Sequence, residues 1–238
     1  MDHHYDGEKH NRTCANDFSV KKCNIIPGFS VVNKSMSEKI GLTTTIKSAK
    51  GCDQEQAVAV IMLAFATDPM ARWIYPDPHQ YLRHFPDVIR LFAGNAFEHG
   101  TGYMVDDFSG AALWLPPNVH PREPETTKLL QQTVPKENQK DVFAVLEAMG
   151  SHHPSEPHWY LPMIGVDPMQ QGKGYGSVLI QHSLVACDRE NKRAYLETSN
   201  PRNVPLYERY GFELLETIQV GPSPPVFLML RQPRAVIE

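Results

Sequence analysis

Eight consecutive residues, Gln170-Gln171-Gly172-Lys173-Gly174-Tyr175-Gly176-Ser177, combine the residue types and spacing that hold a bulky anion. The first N–H groups of a helix have no intrahelical partner, and the aligned peptide dipoles leave partial positive charge at that end. A diphosphate seats well there. Gly172, Gly174 and Gly176 let the backbone approach the anion without Cβ interference, and Gln171 and Lys173 offer side-chain donors to its oxygens. The elements that must position this turn are legible on both sides. His158 to Val166 reads as a strand, and Tyr175 to about Asn191 reads as an amphipathic helix.

Commoner glycine motifs do not fit. A nucleotide P-loop requires a glycine five residues before its Gly-Lys pair and a hydroxyl after it, where this chain has Asp167 and Gly174. A dinucleotide fingerprint requires a third glycine-like residue where Ser177 stands, and an acidic residue about 20 positions on, where only Glu197 is near.

The pattern Gln171-x-x-Gly174-x-Gly176 resembles the pyrophosphate signature of the GCN5-related N-acetyltransferases (GNAT), enzymes that move acetyl groups from acetyl-CoA to amines. Downstream, the strand Ala194-Tyr195-Leu196-Glu197-Thr198 and the segment Asn203-Val204-Pro205-Leu206-Tyr207-Glu208-Arg209-Tyr210-Gly211-Phe212 resemble the closing signature of that family. The stretch from His153-Pro154-x-Glu156-Pro157 through Leu196-Glu197-Thr198-Ser199-x-Pro201-Arg202-Asn203 is similar to the puromycin N-acetyltransferase-like branch. Upstream the likeness thins to a Thr-rich first strand near Leu42 to Ser48, an Ala-rich helix around Ala57 to Ala66 and a strand ending near Trp114.

The resemblance implies an α/β (α+β) GNAT fold with a twisted mixed sheet, mostly antiparallel, splayed strands at the acetyl-CoA site and flanking helices. It implies that acetyl-CoA is held by Gln171 to Ser177, by Asn203, and by the backbone of Ile164, Gly165 and Val166, which would bond the pantetheine arm as an added strand does. Pro162 lacks an N–H, so one edge of its strand is locally open. Strand alternation puts His158, Tyr160, Pro162, Ile164 and Val166 on one face and Trp159, Leu161, Met163 and Gly165 on the other.

Acetyl transfer to an amine needs two proton events. An alkylamine with a pKa of about 10.4 is protonated at neutral pH, so a base must free it, and the departing thiolate must be protonated. By resemblance, Glu197 is the base, directly or through water, and Tyr207 is the acid at the CoA sulfur. A solvated strand glutamate and an ordinary packing tyrosine are the plainer alternatives. Asn203 suits a helix N-cap and Gly211 a C′ position, bounding a short helix that carries Tyr207. Ser177, Ser199 and Cys187 lack a triad, so transfer is expected to be direct. Strand N–H groups near Ile164 to Val166 would stabilise the oxyanion by about 3 kcal/mol per well-placed donor.

Residues 51 to 95 show apolar recurrence at three- and four-residue spacing (Val58, Ile61, Met62, Phe65; Val88, Leu91, Phe92), broken at Asp68-Pro69 and Tyr75-Pro76-Asp77-Pro78. Proline-bounded loops there would border the acceptor pocket, with Trp73, Tyr81 and Trp114 as acceptor contacts, although core packing is the usual fate of such aromatics. Thr101 to Val105 and Ala111 to Leu115 read as strands. Pro121 to Met149 reads as two helical stretches divided near Pro135. His152 and His153 read as loop residues.

With 238 residues, 41% hydrophobic content and a formal charge of −4, the chain can bury one good core and gives no electrostatic case for nucleic acid. No apolar run suits a membrane span and no secretory signal is evident, so a cytoplasmic enzyme is the expectation. Cys14, Cys23, Cys52 and Cys187 show no paired spacing, so neither a metal site nor a disulfide framework is expected. Residues 1–38, with His3, His4 and His10 near one end, read as a flexible N-terminal extension, and 39–238 as a single acetyltransferase domain. Nothing in the sequence sets an oligomeric state. The expected acceptor is a primary amine on a small molecule, because the bulky region from Ala71 to Met149 would close a pocket. A protein lysine or N-terminus, and a non-catalytic acetyl-CoA sensor, are the alternatives.

Overall fold

Strand-forming and helix-forming stretches alternate along the chain, and a computed structural model describes residues 44–105 and 108–235. The expectations for residues 1–38 and for Cys14 and Cys23 lie outside the described residues. Seven strands form one sheet: β1 (Ile46–Ser48), β2 (Gly102–Val105), β3 (Gly110–Leu115), β4 (Trp159–Val166), β5 (Ala194–Thr198), β6 (Glu213–Ile218) and β7 (Val226–Arg231). Their order is β1-β2-β3-β4-β5-β7-β6, and every pairing is antiparallel except β4 with β5. The helices are α1 (Gln54–Ala64), α2 (Pro69–Ile74), α3 (Pro78–Ala93), α4 (Asn95–Glu98), α5 (Glu123–Thr133), α6 (Lys136–Ser151), α7 (Tyr175–Arg189) and α8 (Val204–Arg209).

Proline placement explains the first helix starts. Pro69 and Pro78 sit at the first helical position, where a missing N–H costs nothing, and Asp68 and Asp77 precede them as side-chain caps. Asp68 accepts from Ala71 N–H at 2.9 Å, and Asp77 from His79 and Gln80 N–H at 2.7 and 3.0 Å.

Helices cover both faces of the sheet. On one face Ala57, Val58 and Ile61 of α1 and Phe85 and Ile89 of α3 pack with Met104, Leu113, Tyr160, Met163 and Tyr195. On the other, Leu179, Ile180, Leu184 and Cys187 of α7 and Tyr207 of α8 pack with Ala112, Trp114, Leu161, Leu196 and Met229. Each face therefore has its own core, and apolar burial drives both.

Strict alternation along β4 is overturned. Tyr160 and Met163 share one core while Leu161, Ile164 and Val166 belong to the other. The register against β3 slips between Leu113, opposite Met163, and Leu115, opposite Tyr160. An extra residue beside Pro162 makes a β-bulge, and the pattern inverts across it. At the same place β4 leaves β5: their ladder joins Trp159–Leu161 to Ala194–Leu196 and ends there. Packing of β4 on α1 also sets Gly165, since a Cβ there would lie 2.7 Å from the Ala64 Cβ and 3.3 Å from the Ile61 Cα.

Candidate active site

The glycine turn is built one hydrogen bond at a time. Asp167 accepts from Met169 N–H at 2.8 Å, starting a short 3-10 turn, and the chain then passes through Gly172 and Gly174 with φ of +80° and +88°. These left-handed conformations favour glycine, and nothing lies within 4 Å of a Cβ built on either. The helix α7 begins immediately after, so the N–H groups of Tyr175, Gly176 and Ser177 precede its first internal bond, from Val178 N–H to the Gly174 carbonyl at 3.0 Å. This is an open cradle of donors at the positive end of a 15-residue helix. Gly176 differs from the other two: an added Cβ would make ordinary contacts of 3.6 Å with Leu206 and 3.9 Å with Val166. The two expected side-chain donors are turned onto the protein, with Gln171 Nε2 donating to the Val166 carbonyl at 3.2 Å and Lys173 Nζ to Gln170 Oε1 at 2.6 Å.

The cradle opens into a cavity of about 650 Å³ formed where β4 and β5 part. Ile164, Gly165, Val166, Gln171, Gly172, Gly174, Tyr175, Gly176, Ser177 and Asn203 line it, as do Glu197 and Tyr207. Residues that are far apart in sequence thus meet at one site, although Lys173 is not on its wall.

Glu197 is not a solvated strand residue, for its side chain is 4% exposed. Tyr160 donates its hydroxyl to Glu197 Oε2 at 2.7 Å, and His153 Nε2 lies 3.1 Å from Oε1. Burial, and then the Glu197 charge, push the Tyr160 phenol well above its ordinary pKa, so it remains a donor. His153 also packs on the rings of Tyr160 and Tyr195, at 4.7 and 4.6 Å between centroids. His153 lies in a loop, as the sequence suggests, and its side chain is bonded and packed at the site. Its signal was the His153-Pro154-x-Glu156-Pro157 run, whose partner lies 44 residues downstream. Glu197 and Tyr160 also line a second cavity of about 650 Å³, together with His153, His158 and Glu156.

Tyr207 sits on α8, which ends in a left-handed Gly211 with φ +88°. The residue is 4% exposed, and burial first, then the nearby Asp68 charge, raise its pKa. The phenol is held protonated, as a general acid must be. Asp68 itself accepts from Ser199 Oγ at 2.8 Å; burial raises its pKa against the pull of that bond and those from Ala71 and Met70. Sequence reasoning saw Asp68 only as part of the Asp68-Pro69 break and missed it as a site residue. Asn203 precedes α8 but makes no side-chain cap. Asn200 caps the 3-10 turn Pro201–Asn203 before it, accepting from Arg202 N–H at 3.1 Å, and Asn203 lines the cavity.

Of the three aromatics expected at the acceptor, only Trp73 lines the cavity. Tyr81 is buried against Phe85, with ring centroids 4.9 Å apart, and donates to the Met62 carbonyl at 2.7 Å. Trp114 is 1% exposed and belongs to the core beneath α7, on the other face of the sheet. Both corrections have one cause: large aromatic area is most cheaply buried in a core. Cys187 is buried within α7, where burial pushes its thiol up to about 12, so it is no nucleophile.

Residues 112–212 match the family described as "Acetyltransferase (GNAT) family". An uncharacterized N-acetyltransferase of Schizosaccharomyces pombe is 26% identical over 209 residues, covering 79% of this chain and 83% of its own length. Among solved structures, one described as "histone acetyltransferase HPA2 and related acetyltransferase" from Corynebacterium glutamicum superposes with a TM-score of 0.59 at 27% identity, covering 82% of this chain and 99% of its own. A polyamine N-acetyltransferase of Drosophila melanogaster shares the fold, with a TM-score of 0.60 at 13% identity over 80% of this chain and all of its own. The matched segment, the mixed seven-stranded sheet and the glycine cradle together support an N-acetyltransferase enzyme with a GNAT fold.

Proposed function

We propose that this enzyme transfers the acetyl group of acetyl-CoA directly to a primary amine of a small molecule, with Glu197 as base and Tyr207 as acid. The observation that carries this reading is that both side chains line one cavity, which also reaches the glycine cradle. Several features suit acetyl-CoA: free helix N–H groups for its diphosphate, the strand edge left open beyond Pro162 for its pantetheine arm, and the Asn203 amide. When bound there it supplies an activated acyl group. Glu197 takes a proton from the incoming ammonium, and Tyr207 gives its own proton to the leaving sulfur.

A small acceptor is favoured by the enclosure of the site. Phe85, Val88, Leu130, Val145 and Met149, from α3, α5 and α6, wall the cavity, as suits a small acceptor. Trp73 gives an aromatic contact for the acceptor, and the resemblance to puromycin N-acetyltransferase-like enzymes from His153 to Arg209 points the same way. Among the described residues no helix is long and apolar enough to cross a membrane, and a cytoplasmic setting is part of this reading. The test is thiol release from acetyl-CoA with a panel of polyamines, aminonucleosides, alkylamines, arylamines and peptides. Turnover with a small amine is expected; turnover with peptides alone would refute the acceptor class.

A further inference from the structure

A chain of hydrogen bonds runs outward from Glu197: Oε1 to His153 Nε2 at 3.1 Å, His153 Nδ1 to His158 Nε2 at 3.4 Å, and His158 Nδ1 to the Glu156 carbonyl at 2.8 Å. Donor and acceptor roles along it follow from its far end. A carbonyl only accepts, so His158 Nδ1 carries a hydrogen. Burial depresses the His158 pKa against the pull of the Glu156 carbonyl, so the ring is neutral and its Nε2 is a lone pair. His153 Nδ1 must then donate to it. That leaves the His153 Nε2 lone pair aimed at a carboxylate oxygen, placed to take up a proton that arrives on Glu197.

We infer that His153 is the proton relay of the transfer reaction, receiving through Glu197 the proton that acetylation of an alkylammonium releases and passing it to the second cavity. This rests on the function proposed above, with Glu197 as base. The nitrogen of an alkylammonium sheds two protons as its N–C bond forms and the C–S bond breaks. One balances the thiol, by way of Tyr207, which gives a proton to sulfur and is reprotonated. The other must leave the protein. His153 is placed to carry it, since its side chain is 27% exposed and lines the second cavity. The groups facing its ring are Glu197 and Tyr195 of β5, Tyr160 of β4, and His158. The second cavity also bears Glu123, Glu147, Glu156 and His120, polar groups through which a proton can pass outward. A neutral arylamine sheds one proton only, which the thiol takes up, so it has no need of the relay.

His153→Gln keeps an amide donor toward Glu197 and cannot take up a proton. Its kcat with an alkylamine should fall about 100-fold, the ordinary worth of a general base, with the KM for acetyl-CoA unchanged. With an arylamine of similar shape the change should stay within about threefold, because a neutral acceptor has no proton to export. Free imidazole should restore part of the alkylamine rate to His153→Ala. Equal losses on both amine classes would reveal a merely structural residue and overturn the inference, as would an undiminished alkylamine rate. The nitrogen-15 spectrum of the acceptor-free wild type gives a second reading that needs no substrate. Hydrogen on His153 Nδ1 supports the relay, and a neutral ring protonated only at Nε2 overturns it. Should the wild type turn over neither amine class, the acceptor proposal fails while the spectrum still decides the relay.

Discussion

Replacing Gly174 separates the anion cradle from the rest of the fold. Its φ of +88° lies where an L residue costs about 1–2 kcal/mol, and no atom within 4 Å would add a packing penalty to Gly174→Ala. For a domain of this size that lowers Tm by about 2–8 °C. Acetyl-CoA affinity should suffer separately, because the new Cβ fills open space at the turn where the diphosphate would approach the backbone. Loss of one charge-assisted hydrogen bond to the diphosphate, worth about 1.5–3 kcal/mol, weakens binding about 10- to 100-fold. Titration calorimetry with acetyl-CoA, beside a thermal melt, measures both. Acetyl-pantetheine, which lacks the diphosphate, serves as a control donor whose turnover should be nearly unaffected. A variant that melts lower yet binds acetyl-CoA as tightly as the wild type would refute the cradle, leaving Gly174 a conformational residue alone.

Other expectations concern the elements around it. Gly165→Ala should cost about 1–3 kcal/mol by overpacking β4 on α1, where the new Cβ meets Ala64 at 2.7 Å, and Ala64→Gly should recover part of it in a thermal melt. Glu197→Gln keeps the shape and an acceptor for Tyr160, and should lower alkylamine turnover about 10²- to 10⁴-fold with acetyl-CoA binding intact by calorimetry. Asp188→Ala should destabilise by about 3–5 kcal/mol in urea unfolding, since it strands Arg231, which is buried and bonded to both Asp188 oxygens at 2.7 and 2.8 Å. Burial pushes the Asp188 carboxyl up, but bonds from Arg231 and Arg234 outweigh it and hold the group below its ordinary value. That pairing therefore contributes above the unfolded carboxyl's pKa, near 4, and is lost as pH falls through the lower folded value, a loss Asp188→Ala should not show.

What was legible in the sequence was local. The glycine turn, β5 and the helix holding Tyr207 lie within 40 residues of one another and are announced by turn glycines, alternation and a left-handed Gly211. The bulge at Pro162 inverted the faces of β4, because a missing N–H shows that pairing must break without showing which way the strand recovers its register. Trp114 was misplaced because helices cover both sides of the sheet, so an apolar position in a strand does not reveal which core it enters, and Tyr81 because an aromatic on a helix next to a loop can as readily turn into the core. His153 and Asp68 stayed hidden for another reason. Their partners Glu197 and Ser199 lie 44 and 131 residues away, and such pairings are made by tertiary folding alone.

The central claim is that Tyr207 works on the leaving sulfur within a site that binds acetyl-CoA elsewhere, and Tyr207→Phe tests it most directly. Thiol-release kinetics with an accepted amine, beside calorimetric affinity for acetyl-CoA, should show kcat lowered about 10²- to 10³-fold with Kd changed less than about twofold. Full activity in the variant, or loss of acetyl-CoA binding with it, would contradict the account.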